Sequence, residues 1–282
     1  MLRRASTSTE PFSWSYFIIA YGFSWLVWLP GVLASRDLFD LPVPAMALVI
    51  LGAHGPLVSA MALTWRTEGR AGALRLLKRG FDLRLPVGWW VLMLLLPVTL
   101  GGAAVWLNAT VSGYRPEFPL LERPWFIVPT FLYLFFIGGS VQEEYGWRGY
   151  ALPRLLARWS PLRASMVLGL LWGVWHLPLF YIAGAGQAFM PPDLFLALPV
   201  AFGVFFTWFY LRTGGNLFTA LWFHASINLS LSLFPPVEMR VGGDQGALLY
   251  LLILYVVVAA LLMPADRQIW RGRRRADGDD FG

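Results

Sequence analysis

The chain has 282 residues, of which 57% are hydrophobic and only 13% charged, with a mean hydropathy of +0.59; a soluble domain carries about twice that charged fraction. It contains no cysteine, which excludes disulfides, thiol catalysis and thiolate metal sites. The net charge of +6 resides in loops between apolar runs, a pattern of membrane topology rather than of a nucleic-acid surface.

Lipid admits only helices or closed barrels, and these runs are too long and continuous for barrel strands. The fold class is therefore all-α: a polytopic membrane protein with about eight transmembrane helices, a single integral-membrane domain over 1–282. The chain opens on a polar stretch with Arg3 and Arg4, within a cytoplasmic N-terminus of 1–11. Spans are expected at 12–34, 43–65, 87–107, 125–147, 164–184, 194–211, 217–234 and 246–264, each near the ~20 residues that a crossing helix needs. The first is of spanning length rather than a short signal-peptide core, so no cleavable signal peptide is evident. Between spans two and three, Arg66 to Arg84 mixes basic residues with Leu74, Leu76, Leu77 and Phe81, and reads as a short amphipathic helix on an anionic leaflet. The tail over 267–282 is basic, then acidic, and reads as a cytoplasmic stop-transfer anchor.

An even number of spans puts both termini on one side. With that side inside, 18 of the 22 basic residues are cytoplasmic and only Arg36, Arg115, Arg123 and Arg240 are outside. The positive-inside bias therefore expects both termini in the cytoplasm, of the cell membrane if the source is prokaryotic.

The residues able to do chemistry concentrate in 125–234. At the end of the fourth apolar run stand Glu143 and Glu144, followed by Arg148. A charge facing hydrocarbon costs several kcal/mol, so ionisable residues there are functional candidates by default. On a continuing helix Glu144 and Arg148 share a face at i,i+4 and can pair. Glu143 is rotated by roughly 100° from Glu144, free to face a cavity. Taken alone, the stretch reads equally as an interfacial ion cluster capping a helix end. All three histidines of the chain, His54, His176 and His224, fall inside spans. His176 follows Trp172 by one turn and precedes Pro178, which disturbs helical bonding and can bend the segment. His224 and Asn228 project from one face at i,i+4. Each alone reads as an interhelical hydrogen bond. Together with two carboxylates they form the set that hydrolysis requires, a base for water and donors for an oxyanion. At 1.5 Å per residue, His224 lies about 10 Å and His176 about 18 Å from the cytoplasmic ends of their spans, and Glu143 only a few Å in. The expected cleft opens to the cytoplasm.

Glu143-Glu144-x-x-x-Arg148, Trp172-x-x-x-His176 and His224-x-x-x-Asn228, in that order over about Phe126 to Asn228, resemble the motifs of the CAAX-protease and bacteriocin-processing (CPBP, or Abi) intramembrane proteases, which include the CAAX prenyl endopeptidases. The resemblance implies an endopeptidase in which Glu143 and His176 activate water, His224 and Asn228 hold the oxyanion, and Glu144 and Arg148 support the site. It implies a peptide or lipidated protein substrate beside the membrane lipid, and no nucleic acid. Trp172 departs from the family's usual phenylalanine, but both are aromatic. His54 matches no motif and reads as structural, among small residues that let helices approach. Zinc or another divalent metal stays open as a cofactor, with Glu143, His176 and His224 as ligands if it is present. No His-Glu-x-x-His helix exists, and a metal-free mechanism is preferred. A non-catalytic scaffold or immunity protein of the same fold, and a proton-coupled transporter using the carboxylates as a relay, are the alternatives.

Overall fold

A computed structural model describes residues 14–38, 40–240 and 243–266; the polar start and the charged tail, with Arg3, Arg4 and the arginines from Arg271 onward, lie outside them. The described residues form helices joined by short turns, without a strand. Each expected span has its helix. The first is α1 (Ser15–Ala34), the second α2 (Ala45–Gly52) followed by α3 (Gly55–Arg79), and the third α4 (Val87–Ser112). After the one-turn α5 (Pro119–Glu122), the fourth span is assembled from α6 (Ile127–Phe136), α7 (Ser140–Gly146), a π-helical turn over Trp147–Ala151 and α8 (Leu152–Leu156). Then come α9 (Pro161–Trp175), α10 (Pro192–Arg212), α11 (Leu217–Leu233) and α12 (Gly246–Ala265). Six of these segments are long and apolar enough to cross a membrane, and Leu217–Leu233 and Gly246–Leu262 are shorter apolar helices. The molecule is a polytopic helical membrane protein.

Three boundaries differ from expectation. The fourth span continues to Leu156 instead of ending at 147, which leaves Glu143 near its middle rather than a few Å from an edge. The helix of span two runs on past 65 to a kink at Gly69, whose φ of 64° and ψ of −170° are not helical, and the basic segment beyond the kink is a short helix of its own that ends at Arg79 rather than 84. The fifth span stops being α-helical at Trp175 and continues as a 3-10 turn over Leu177–Tyr181. Pro178 accounts for that change, since its missing N–H removes a helical bond.

Side-chain hydrogen bonds tie the loops into two opposite ends. At one end the Ser35 hydroxyl accepts from the Ala183 amide at 2.8 Å, Asn108 donates to Asp244 at 2.6 Å, and Gln245 donates to the Phe189 carbonyl at 2.9 Å. At the other, Arg79 donates to the Gly149 carbonyl (2.9 Å) and the Tyr210 hydroxyl (3.2 Å), Asn216 to the Asp82 carbonyl (2.8 Å), and Arg212 to Asp266 (2.5 Å). This second end carries the arginine-rich loops. Between the two, α10 packs along α9, α4 against α11 and α12, and α3 against both α1 and α7. The interior is aromatic, with Trp28, Trp147, Trp175, Phe205, Phe206, Phe209 and Phe223 fully buried. The stretch from Gln142 to Leu152 is buried without interruption, so the most charged part of span four is also its most enclosed.

Candidate active site

The site is built on a broken helix. α6 ends at Phe136 and the chain turns through Gly138 and Gly139 before α7 begins; Gly139, at φ 114°, is in a conformation that favours glycine. Irregular backbone at membrane depth is tolerated only where its polar groups are satisfied inside the protein. Here the Leu134 carbonyl accepts from the Ser140 hydroxyl (3.1 Å), the Phe136 carbonyl from the Gln142 amide (2.6 Å), and the Gly138 carbonyl from Asn228 Nδ2 (3.1 Å). A Cβ on Gly139 would stand 2.7 Å from Glu143 Oε1 and 3.5 Å from His224 Nε2, so the glycine also makes room for the carboxylate and the imidazole.

Glu143 is 6% exposed and Glu144 fully buried, with different partners. Both oxygens of Glu144 accept from Arg148 Nη1, at 2.8 and 3.0 Å, and Oε1 also accepts from His224 Nδ1 at 2.7 Å. The pairing with Arg148 read from the sequence survives the π-turn that starts at Trp147. Arg148 is 1% exposed, and its guanidinium lies over the rings of Phe206 (3.7 Å) and Trp172 (4.6 Å). Glu143 Oε2 accepts instead from the indole N–H of Trp172 at 2.6 Å. Its other oxygen is on the Gly139 side.

Trp172 holds a second group as well. Its backbone carbonyl accepts from His176 Nδ1 at 2.8 Å, which puts that ring's proton on Nδ1 and leaves the Nε2 lone pair available. His176 is the residue on which α9 ends, and it is enclosed edge-on by Trp172, Trp175 and Phe195. For His224, the carboxylate on Nδ1 likewise fixes the tautomer, and Nε2 points away from Glu144.

Glu143 and His176 line one cavity of about 170 Å³ together with Gly138 and Gly139. Trp28 of α1, Met46 and Val49 of α2, Tyr133 of α6 and Gln187 complete its wall. α2 packs on α1, and α6 on α7 and α11, so the cavity lies between α2 and α6. Every wall element comes from the centre or from the end where residues 35–44 and 182–191 turn. The arginine-rich end contributes none, so this cavity and the basic loops are at opposite ends of the bundle.

Of the residues singled out by sequence, Glu143, Glu144, Arg148, His176 and His224 meet in one buried cluster. Asn228 is beside it, with Nδ2 committed to the Gly138 carbonyl. His54 does not join: its Nδ1 bonds the Ile50 carbonyl at 3.0 Å, where α2 meets α3. Sequence reasoning missed the Trp172 indole, whose only sequence signal is the substitution of a hydrogen-bonding ring for phenylalanine, and the turn at Gly138-Gly139-Ser140, whose paired glycines are a breaker signal. Among the described residues no three His, Asp or Glu side chains are grouped to hold a metal ion. Glu144 is occupied by Arg148 and His224, while Trp172 holds one oxygen of Glu143 and Nδ1 of His176. One oxygen of Glu143 and the Nε2 atoms of His176 and His224 are not used in these bonds, and two imidazoles with a carboxylate are a donor set of the kind that a catalytic zinc takes.

Residues 124–230, from the start of span four to just past Asn228, match the family model for type II CAAX prenyl endopeptidase Rce1-like proteins. Over this segment the chain is similar to the Rce1-like CAAX prenyl endopeptidases. The likeness extends well beyond the matched segment: the CAAX prenyl protease 2 of Methanococcus maripaludis is 24% identical over 269 residues, covering 88% of this chain and 92% of that protein.

Proposed function

We propose that the chain is a CAAX-type intramembrane endopeptidase that hydrolyses a peptide bond of a membrane-associated peptide or prenylated-type protein. The observation that carries this reading is the pairing of Glu143 and His176 on the wall of one cavity, both fastened by the same tryptophan, inside the segment that matches the Rce1-like family.

In this reading a water molecule is held between Glu143 and His176 Nε2. As its oxygen bonds to the scissile carbonyl carbon, one proton passes to Glu143. The carbonyl becomes an oxyanion, which takes a hydrogen bond from His224 Nε2 when that ring carries both protons, and a second from the Asn228 amide. When the C–N bond breaks, the proton on Glu143 moves to the leaving nitrogen, and the new carboxylic acid then gives its proton to the released amine, so the products are a carboxylate and an ammonium group. A positioned general base contributes about 10²–10⁴-fold, and an oxyanion donor about 10²–10³-fold. Glu144 and Arg148 act through His224, holding its Nδ1 side. The reaction runs on the chain's own side chains, without a resident metal. The arginine-rich end, with both termini, is on the cytoplasmic side of the membrane.

The test is hydrolysis of a quenched farnesylated peptide by the purified protein in lipid vesicles, with and without a metal chelator. Cleavage at one internal bond at a rate that the chelator does not change is the expected result. A chelator-sensitive rate restored by zinc would overturn the metal-free mechanism, and intact peptide throughout would overturn the assignment as an endopeptidase.

A further inference from the structure

A second cavity among the described residues is larger than the one that holds Glu143. It is at the arginine-rich end and has a volume of about 450 Å³, within the roughly 300–1,000 Å³ typical of sites for small ligands. The turn at Gly69 creates it, by swinging the last part of α3 away from the line of its span. The opposite wall is the π-turn and the start of α8, with Tyr210 behind.

Arg75, Lys78, Arg79, Arg84 and Arg154 line this cavity. Its two acids are each bound to a neighbouring arginine, Glu68 to Arg75 and Asp82 to Arg84, both at 2.8 Å, so the lining has an excess of three positive charges. Two of the guanidinium groups are held by the walls: Arg79 by the Gly149 carbonyl and the Tyr210 hydroxyl, and Arg154, 6% exposed, by the Tyr150 carbonyl at 3.0 Å and by stacking 3.6 Å over the Tyr150 ring. Pre-set guanidinium forks of this kind match phosphate oxygens. Around the same end Leu74, Phe81 and Leu83 are exposed, Phe81 by 72%, an apolar fringe that water alone would disfavour and acyl chains would cover.

We propose that this cavity binds the phosphate headgroup of an anionic phospholipid, with the acyl chains along Leu74, Phe81 and Leu83. Basic pockets between membrane helices take lipid headgroups in this way. The site is separate from the catalytic cavity and does not depend on its assignment.

The experiment is native mass spectrometry and thermal melting of the full chain in detergent, with phosphatidylglycerol, phosphatidylcholine or inorganic phosphate added. Phosphatidylglycerol should be retained and should raise the melting temperature, while phosphatidylcholine and phosphate should do neither. Lys78→Gln should weaken retention about fivefold, the equivalent of one interfacial charge, and Arg154→Gln at least as much. Arg70→Gln, an exposed change outside the cavity, should leave retention unchanged. Equal retention of phosphatidylcholine, or equal loss from Arg70→Gln and Lys78→Gln, would overturn the site in favour of diffuse surface attraction. Phosphate acting as well as phosphatidylglycerol would overturn the lipid as its ligand. Should Arg154→Gln fail to fold, Lys78→Gln decides alone.

Discussion

Glu144 accepts hydrogen bonds from two helical segments, Arg148 on its own span and His224 on α11, and this sets what each removal does. Breaking a buried pair from one side leaves the other charge stranded, at a cost of about 3–5 kcal/mol. Arg148→Ala should therefore lower the melting temperature as well as abolish activity. The double variant Glu144→Gln, Arg148→Ala should regain part of that stability, because no unpaired charge remains; a double variant no more stable than Arg148→Ala would disprove the coupling. Trp172 makes a second residue-level prediction. Trp172→Phe keeps the ring and loses only the N–H, and a hydrogen bond to a charged group is worth about 1.5–3 kcal/mol. We expect kcat to fall tenfold or more on that scale, with KM near normal and a lower melting temperature. A wild-type kcat would mean that the indole does not position Glu143. The spacings that make Glu144–Arg148 and His224–Asn228 pairs were legible because helical neighbours follow from the 3.6-residue period. The Trp172–Glu143 bond was not, because it joins residues 29 apart on two spans and no local pattern encodes that contact.

At the scale of elements, the break between α6 and α7 and the π-turn after it decide where the carboxylates stand. Gly139→Ala should lose activity and about 1–3 kcal/mol of stability, since its φ is unfavourable for alanine and its Cβ would meet Glu143. Gly88→Ala, with nothing within 4 Å, is the control expected to leave both unchanged. Equal behaviour of the two variants in melting and turnover would contradict the role given to the turn. Each span was legible from its apolar run, but the end of the fourth was misjudged for a physical reason. Arg154 reads as a loop charge in sequence, whereas in the fold it is buried and stacked on Tyr150. Charge neutralised by packing looks the same in a sequence as charge exposed to water.

For the molecule as a whole, the cavity of Glu143 and His176 and the arginine-rich cavity belong to opposite ends of the bundle. If the arginine-rich end is cytoplasmic, as the positive-inside bias expects, the catalytic wall is reached from the other side. The chain's lack of cysteine makes this directly measurable. Gln187→Cys should react with an impermeant thiol reagent in intact cells, and Lys78→Cys only in inverted vesicles; the reverse pattern would turn the protein over in the membrane. The central claim is that Glu143 and His176 activate water, and it is tested most directly by peptide hydrolysis with Glu143→Gln and His176→Ala, each paired with its melting curve. The account predicts that cleavage falls at least as far as loss of a general base requires, about 10²–10⁴-fold, while Glu143→Gln melts near the wild-type temperature. Folded Glu143→Gln and His176→Ala proteins that cleave the peptide at the wild-type rate would contradict it.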